Sequence, residues 1–211
     1  MKSEKAVNPK TTTRIPKTTT RIDFLSCGVS KMVSAQVLSQ LIPPISERDH
    51  CQGSHTAQVT LVEYGDYQCP ECRVAHFIIQ LIRKRFGDQF RFIFRHFPQS
   101  DIHPEAYHAA EAAEAAASQN RFWEMHGHLL ENQSNLTDSH LVEYAIALYL
   151  DVDQFLAEMT SDCHMARVQA DIESGIKSGV NATPTFFING IKYQGIQNLE
   201  ELIESLIKTN P

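Results

Sequence analysis

"VTLVEYGDYQCPECRVAHF" (Val59–Phe77) is the stretch that decides the fold. It opens with a short, apolar, β-branched run, 59–64, which predicts a buried strand. Gly65 and Asp66 break that strand. Cys69 and Cys72 follow, separated by Pro70 and Glu71. Beyond them Val74, Phe77, Ile78, Leu81, Ile82 and Phe86 recur at helical spacing, and Gly87 stands where a helix end takes a left-handed residue. The two cysteines therefore sit at the start of an amphipathic helix that follows a strand. Pro70 suits that place, because the first helical turn has no backbone N–H partner to lose.

Working outward, "QFRFIFRHF" (89–97) is nearly continuous in apolar and aromatic residues, as in a central strand covered on both faces. Strand, helix, strand predicts a βαβ unit with parallel strands. From His103 to about Gly179 the pattern is helical. Pro104 opens the alanine-rich "EAYHAAEAAEAAA", "RFWEMHGHLLEN" follows, and Thr137 and Asp138 offer a cap for "SHLVEYAIALYL". "TPTFFINGIKYQG" (183–195) returns to β, with Asn189-Gly190 as a hairpin signal. "NLEELIESLIK" is a last amphipathic helix, with Asn198 as its expected cap and Glu201 three residues on. The order is β-α-β, a helical insertion over about 103–179, then β-β-α. The domain is expected over 45–211, led in by "IPPISERDH" (42–50), with residues 1–44 as a disordered extension.

The bounds agree with one globular domain: 211 residues, 42% hydrophobic and 21% charged. No apolar run approaches the ~18 residues of a membrane span. A net charge of -6 argues against nucleic acid as a partner. The five cysteines, Cys27, Cys51, Cys69, Cys72 and Cys163, are odd in number with one close pair, which is no secreted disulfide framework. The start repeats "KTTTRI" at 10–15 and 17–22 and holds one acid, Glu4, before residue 23. No continuous apolar segment marks a cleaved signal. A cytoplasmic address is expected. An organellar or exported address, if residues 1–31 are a basic, acid-poor targeting segment, or a true start at Met32, are the alternatives.

A CxxC pair serves zinc, redox chemistry or plain packing. Zinc needs a second ligand pair, and Cys163-His164 has poor ligand spacing while Cys51 stands alone. The ten histidines show no ligand spacing beyond His126 and His128, which point to different helix faces. Packing alone leaves the proline-containing dipeptide at a helix start unexplained. The redox reading accounts for the position. Unpaired N–H groups and the helix dipole stabilise a thiolate there, so Cys69 is the expected nucleophile and Cys72 the resolving thiol. Glu71 opposes thiolate formation, with Arg73 and His76 as partial offsets.

These residues resemble the DsbA family of thiol-disulfide oxidoreductases, a thioredoxin fold with a helical insertion. The resemblance spans about 45–208 and rests on "VTLVEYGDYQCPEC", "FRHFP", "HAAEAAEAA", "FWEMH" and "GVNATPTFFING". It implies that Pro184 is a cis-proline beside the cysteines, and that Thr183 faces the disulfide and pairs its backbone with a bound client. It also implies that Glu63 is a buried acid that takes a proton from Cys72. The implied function is dithiol-disulfide exchange with client proteins and a redox partner, without metal or bound cofactor. The periplasmic members carry a signal peptide and often a basic residue inside the CxxC. This chain shows neither, so a reducing or isomerising role stands beside an oxidising one. A glutathione-dependent transferase or isomerase, and a non-catalytic peptide-binding module, are the competing readings. Cys51 and Cys163 are candidates for a second disulfide.

Overall fold

The computed structural model describes residues 40–193 and 198–209. The expectations about targeting, disorder and the start at Met32 fall on residues 1–39, which lie outside the described residues, as does Cys27. The described elements run β1 (His50–Gln52), β2 (Val59–Gly65), α1 (Pro70–Phe86), β3 (Phe90–His96), α2 (Ala106–Ser118), α3 (Phe122–Glu131), α4 (Asp138–Ala147), α5 (Val152–Thr160), α6 (Met165–Lys177), β4 (Thr185–Ile188), β5 (Ile191–Tyr193) and α7 (Leu199–Thr209). This is a thioredoxin-type sheet with a five-helix insertion between β3 and β4.

The sheet order is β1-β3-β2-β4-β5. β2 and β3 are parallel, as the βαβ pattern predicts, and β4 runs antiparallel to β2 with Tyr64 opposite Thr185. Asn189 and Gly190, at φ 48° and 83°, turn β4 into β5; both central residues of this turn need positive φ, which Asn and Gly tolerate best. Side chains alternate across the sheet. Leu61, Phe92, Phe94, Phe186 and Ile188 join the core beneath α1, α2, α3 and α7, whereas Val62, Tyr64, Ile93 and Phe187 form a second, smaller core with Leu41 and Val180. The alanines of α2, Ala117 apart, are buried, which lets α3, α5 and α6 approach it closely.

Four details differ from the sequence reading. β1 is an extra strand inside the expected lead-in, antiparallel to β3; three residues, His-Cys-Gln, carry too little pattern to announce it. Residues 40–44, grouped with the extension, pack onto the domain: Gln40 bridges Ile191 and the Leu41 N–H donates to the Gly190 carbonyl at 2.9 Å. Arg95 holds the same segment. It makes a two-pronged buried pair with Asp49, at 2.7 and 3.1 Å, and donates to the Pro43 carbonyl. Asn198 precedes α7 at φ 63°, outside the extended capping conformation, and Thr137 caps no backbone N–H because Ser139 and His140 engage its hydroxyl. Finally, the apolar periodicity of α1 is two stripes. Cys72, Ala75, His76, Ile79 and Ile82 face the core, while Val74, Phe77 and Leu81 lie exposed along a second line.

Gly65, at the end of β2, has no room for a side chain: a Cβ there would lie 2.4 Å from the Phe94 ring. Gly65→Ala is expected to lower stability by about 1–3 kcal/mol, the usual cost of overpacking. Urea unfolding checks this, and an unchanged midpoint would show that Phe94 moves aside freely.

Candidate active site

Each strand of the parallel pair ends at the same edge, and the loop leaving β2 carries the cysteines to it. Cys69 is the N-cap of α1 and Pro70 the first helical residue. Its carbonyl accepts from the N–H groups of Cys72 at 3.1 Å and Arg73 at 3.3 Å. The cis Thr183–Pro184 peptide lies directly opposite, with the Cys69 thiol 3.2 Å from the Thr183 carbonyl. Glu71 is exposed, its carboxylate 3.4 Å from the same sulfur. Gln133, from the loop after α3, donates to the Cys69 carbonyl at 2.7 Å.

The two thiols are unequal. The Cys69 pKa is lowered to about 7, chiefly because the Cys72 thiol hydrogen-bonds to its thiolate. Thr183 and the Cys72 N–H add to this; burial and Glu71 work against it. Cys72 is fully buried, and burial first, then the hydrogen bond it gives Cys69, push its thiol well above the ordinary range. Behind it stands Glu63, on the core face of β2 and 1% exposed. Burial, with the Cys69 charge second, lifts Glu63 to about 8, and a hydrogen bond with Cys72 pulls the other way. Its Oε1 has no partner. A carboxyl held in this way carries a proton near neutral pH and can exchange it with Cys72.

The structure thus brings Cys69, Cys72, Glu63, Thr183, Pro184, Pro70 and Glu71 together. His76, expected to favour the thiolate, instead faces the core one turn beyond Cys72, and burial lowers its pKa. Sequence reasoning missed Asp66, taken there only as a strand breaker. Its buried carboxylate accepts from the Gln68 N–H at 2.7 Å, the Gln99 N–H at 2.8 Å and His103 Nδ1 at 2.8 Å. Its own N–H points at Cys72 Sγ, 3.4 Å away. Gln99 then accepts from the Thr183 hydroxyl at 3.0 Å. One carboxylate so ties the cysteine loop, the loop after β3 and the cis-proline loop. An acid three residues before the first cysteine, with a histidine after "FRHFP", was the signal available.

The histidines also differ from the sequence reading, because the sheet gathers them from distant segments. His50 and His96 both lie 2.8 Å from Glu114 Oε1, and Glu158, Cys163 and His164 form another cluster with ligand-like spacing. In each cluster the carboxylate is already hydrogen-bonded. Cys51 and Cys163 are free thiols, unlike the disulfide considered for them. Among the described residues no helix is long and apolar enough to cross a membrane.

Comparison with known proteins agrees with this fold. The family model described as "Thioredoxin" matches residues 46–208. BdbD from Bacillus subtilis, in its oxidised form, superposes with a TM-score of 0.71 at 26% identity, covering 82% of this chain and 98% of that one. The alpha-DsbA1 of Wolbachia pipientis shares the fold, with a TM-score of 0.68 at 23% identity, covering 80% and 95%. Among curated relatives, the chain is 41% identical over 170 residues to a protein named Na(+)/H(+) antiporter NhaA 1 from Salinispora arenicola, covering 81% of this chain and 26% of that protein. It is 42% identical over 170 residues to the one so named from Mycolicibacterium gilvum, covering 79% and 28%. The chain spans about a quarter of the length of these relatives.

Alkylation by iodoacetamide is expected to modify Cys69 with a pH midpoint near 7 and to leave Cys72 unmodified until the protein unfolds. Peptide mapping reads both. Glu63 predicts a stability profile. Its folded pKa of about 8 exceeds its ordinary 4.5, so the folded state keeps a proton that the unfolded chain releases. That contribution is full below about 4.5 and is lost as pH rises through about 8. Glu63→Gln should therefore gain stability relative to the parent across this window. Parallel urea curves with a pH-independent difference would show that Glu63 titrates normally.

Proposed function

The chain belongs to the thioredoxin family, in its DsbA-like branch, and from that premise we propose that it exchanges the Cys69–Cys72 dithiol and disulfide with client proteins. The observation that carries this reading is the asymmetry of the pair: an activated thiol at a helix start beside a cis-proline, and a buried, proton-bearing partner behind it. In the reducing direction the Cys69 thiolate attacks a client disulfide. The Cys69–client bond forms, the client S–S bond breaks, and one client thiolate leaves. With Cys69 in the mixed disulfide, the Cys69 charge that helps raise Glu63 is gone; the ionised Glu63 carboxylate takes the Cys72 proton, and the Cys72 thiolate attacks Cys69 Sγ. The Cys69–Cys72 disulfide forms and the second client thiolate leaves. The oxidising direction is the reverse.

Both cysteines are used in this scheme, which favours it over a single-residue glutathione transferase. An open groove of about 740 Å³ beside Cys69, lined by Pro70, Val74, Phe77 and Gln133 among others, offers the client chain a bed that continues the exposed stripe of α1. A Cys69 pKa of about 7 resembles the thioredoxin value of ~7 more than the ~3.5 of a strong oxidant. Glu71 works in the same sense. We assign the chain to reduction or isomerisation, which suits a reducing, cytoplasmic setting, with a dithiol donor as redox partner. The relatives named as antiporters favour a second reading of the client, a membrane ion transporter.

Cys72→Ser is expected to accumulate a mixed disulfide on Cys69 that Cys69→Ser cannot form. Mass spectrometry of the trapped species identifies the client and shows whether it comes from the membrane or the soluble fraction. Equilibration in glutathione buffers sets the direction. A pair that oxidises readily and holds its disulfide is a reductant, and one that stays reduced is an oxidant. If no Cys69–Cys72 disulfide forms at any poise, the redox function is wrong.

A further inference from the structure

A second polar pocket, of about 140 Å³, opens farther along α1, between that helix, β1, β3 and α3. That is several times the ~10–15 Å³ that admits one water. Gln52, His76, Gln80, Arg83, Trp123 and His126 form most of its wall, and no carboxylate lines it. The redox scheme uses none of these residues.

The guanidinium of this pocket lacks a counter-charge among the described residues. Arg83 is half-buried, and its side chain has no hydrogen-bond or ion-pair partner among the described residues. Burial lowers its pKa below the usual guanidinium value. His126 is 3% exposed, and its Nδ1 lies 3.2 Å from the Tyr67 hydroxyl. With the phenol as donor, the ring proton sits on Nε2, which has no partner among the described residues. Burial, reinforced by His76, His96, His50 and Arg83, holds the His126 pKa well below its ordinary value. His76 Nε2 is 2.6 Å from Gln80 Nε2 and 3.5 Å from the exposed carboxylate of Glu131, outside the pocket wall. A guanidinium without a protein partner, beside an imidazole N–H that is also free to donate, is well placed to hold an anion through charge-assisted hydrogen bonds.

We propose that this pocket binds a small oxyanion, a carboxylate or a phosphate, with the Arg83 guanidinium as its main partner and the His126 Nε2–H as a second donor. Trp123 walls one side and limits the ligand to a compact group. The site shares α1 with the cysteine pair but lies beyond it, so it is a separate binding function.

The test is titration of the full chain with sodium phosphate and, separately, sodium acetate, each against sodium chloride at matched ionic strength. Thermal unfolding and the His76 and His126 imidazole NMR signals are the readouts. At least one oxyanion should raise the melting temperature saturably and shift both imidazoles. Arg83→Met should weaken that binding about tenfold or more, as loss of a charge-assisted hydrogen bond implies, and leave Cys69 alkylation unchanged. Arg83→Lys, a milder variant, should keep a weakened response. A response to phosphate alone assigns a tetrahedral anion, and to acetate alone a carboxylate. No saturable response, an equal response to chloride, or full binding in Arg83→Met would overturn the proposal.

Discussion

The antiparallel register of β2 and β4 is the constraint on which the site depends. Tyr64 lies opposite Thr185, so the turn that begins β4 is held beside the loop that leaves β2. Cys69 and Thr183 meet there although 114 residues separate them. A slip of one residue would send Glu63 to the opposite face, away from Cys72, and would turn Leu61 out of the main core. The alternation of Leu61, Glu63 and Gly65 with Val62 and Tyr64 specifies that register. The hydrophobic effect acting on the large side chains therefore also aims the one buried acid at the buried thiol.

The two cysteines occupy unequal environments. Cys69, itself only 3% exposed, has a helix start and a hydrogen bond from Cys72, and its thiolate is favoured. Cys72, three residues on, is fully buried and gives its hydrogen bond to Cys69, so its thiol form is favoured. Desolvation raises both Cys72 and Glu63, and the two share a hydrogen bond that gives the proton somewhere to go. Glu71 limits how far Cys69 can fall. In the proposed exchange, a thiol held near neutrality attacks and leaves with comparable ease.

Asp66 links this chemistry to the rest of the fold. Buried carboxylates are costly unless several donors satisfy them, and here two N–H groups of other residues and an imidazole do so. The arrangement fixes Gln99, which in turn holds Thr183. Arg95 does the same for the lead-in segment at the opposite sheet face, using the paired carboxylate of Asp49 and the Pro43 carbonyl. These two polar anchors are spaced along β2 and β3, and each joins chain segments that hydrophobic patterning alone would leave loose.

Local pattern was enough for the elements near the cysteines, because period-2 and period-3.6 signals, Gly87 and Asn189-Gly190 act over a few residues. It pointed to Cys69 and Cys72 and, through the family resemblance, to Glu63, Thr183 and Pro184, which the structure places together. It overstated α1, since Val74, Phe77 and Leu81 follow helical spacing on a face that nothing in the described chain covers. It missed β1, whose three residues are ordered by pairing with β3 rather than by their own preference. It missed Asp66, Gln99, Gln133 and the Arg83 pocket for one common reason. Their meaning lies in which partners surround them or fail to, and those partners come from β1, α3 and loops tens of residues away. Spacing along the chain encodes periodicity; proximity, desolvation and an absent counter-charge exist once the sheet and the helical insertion have closed around it.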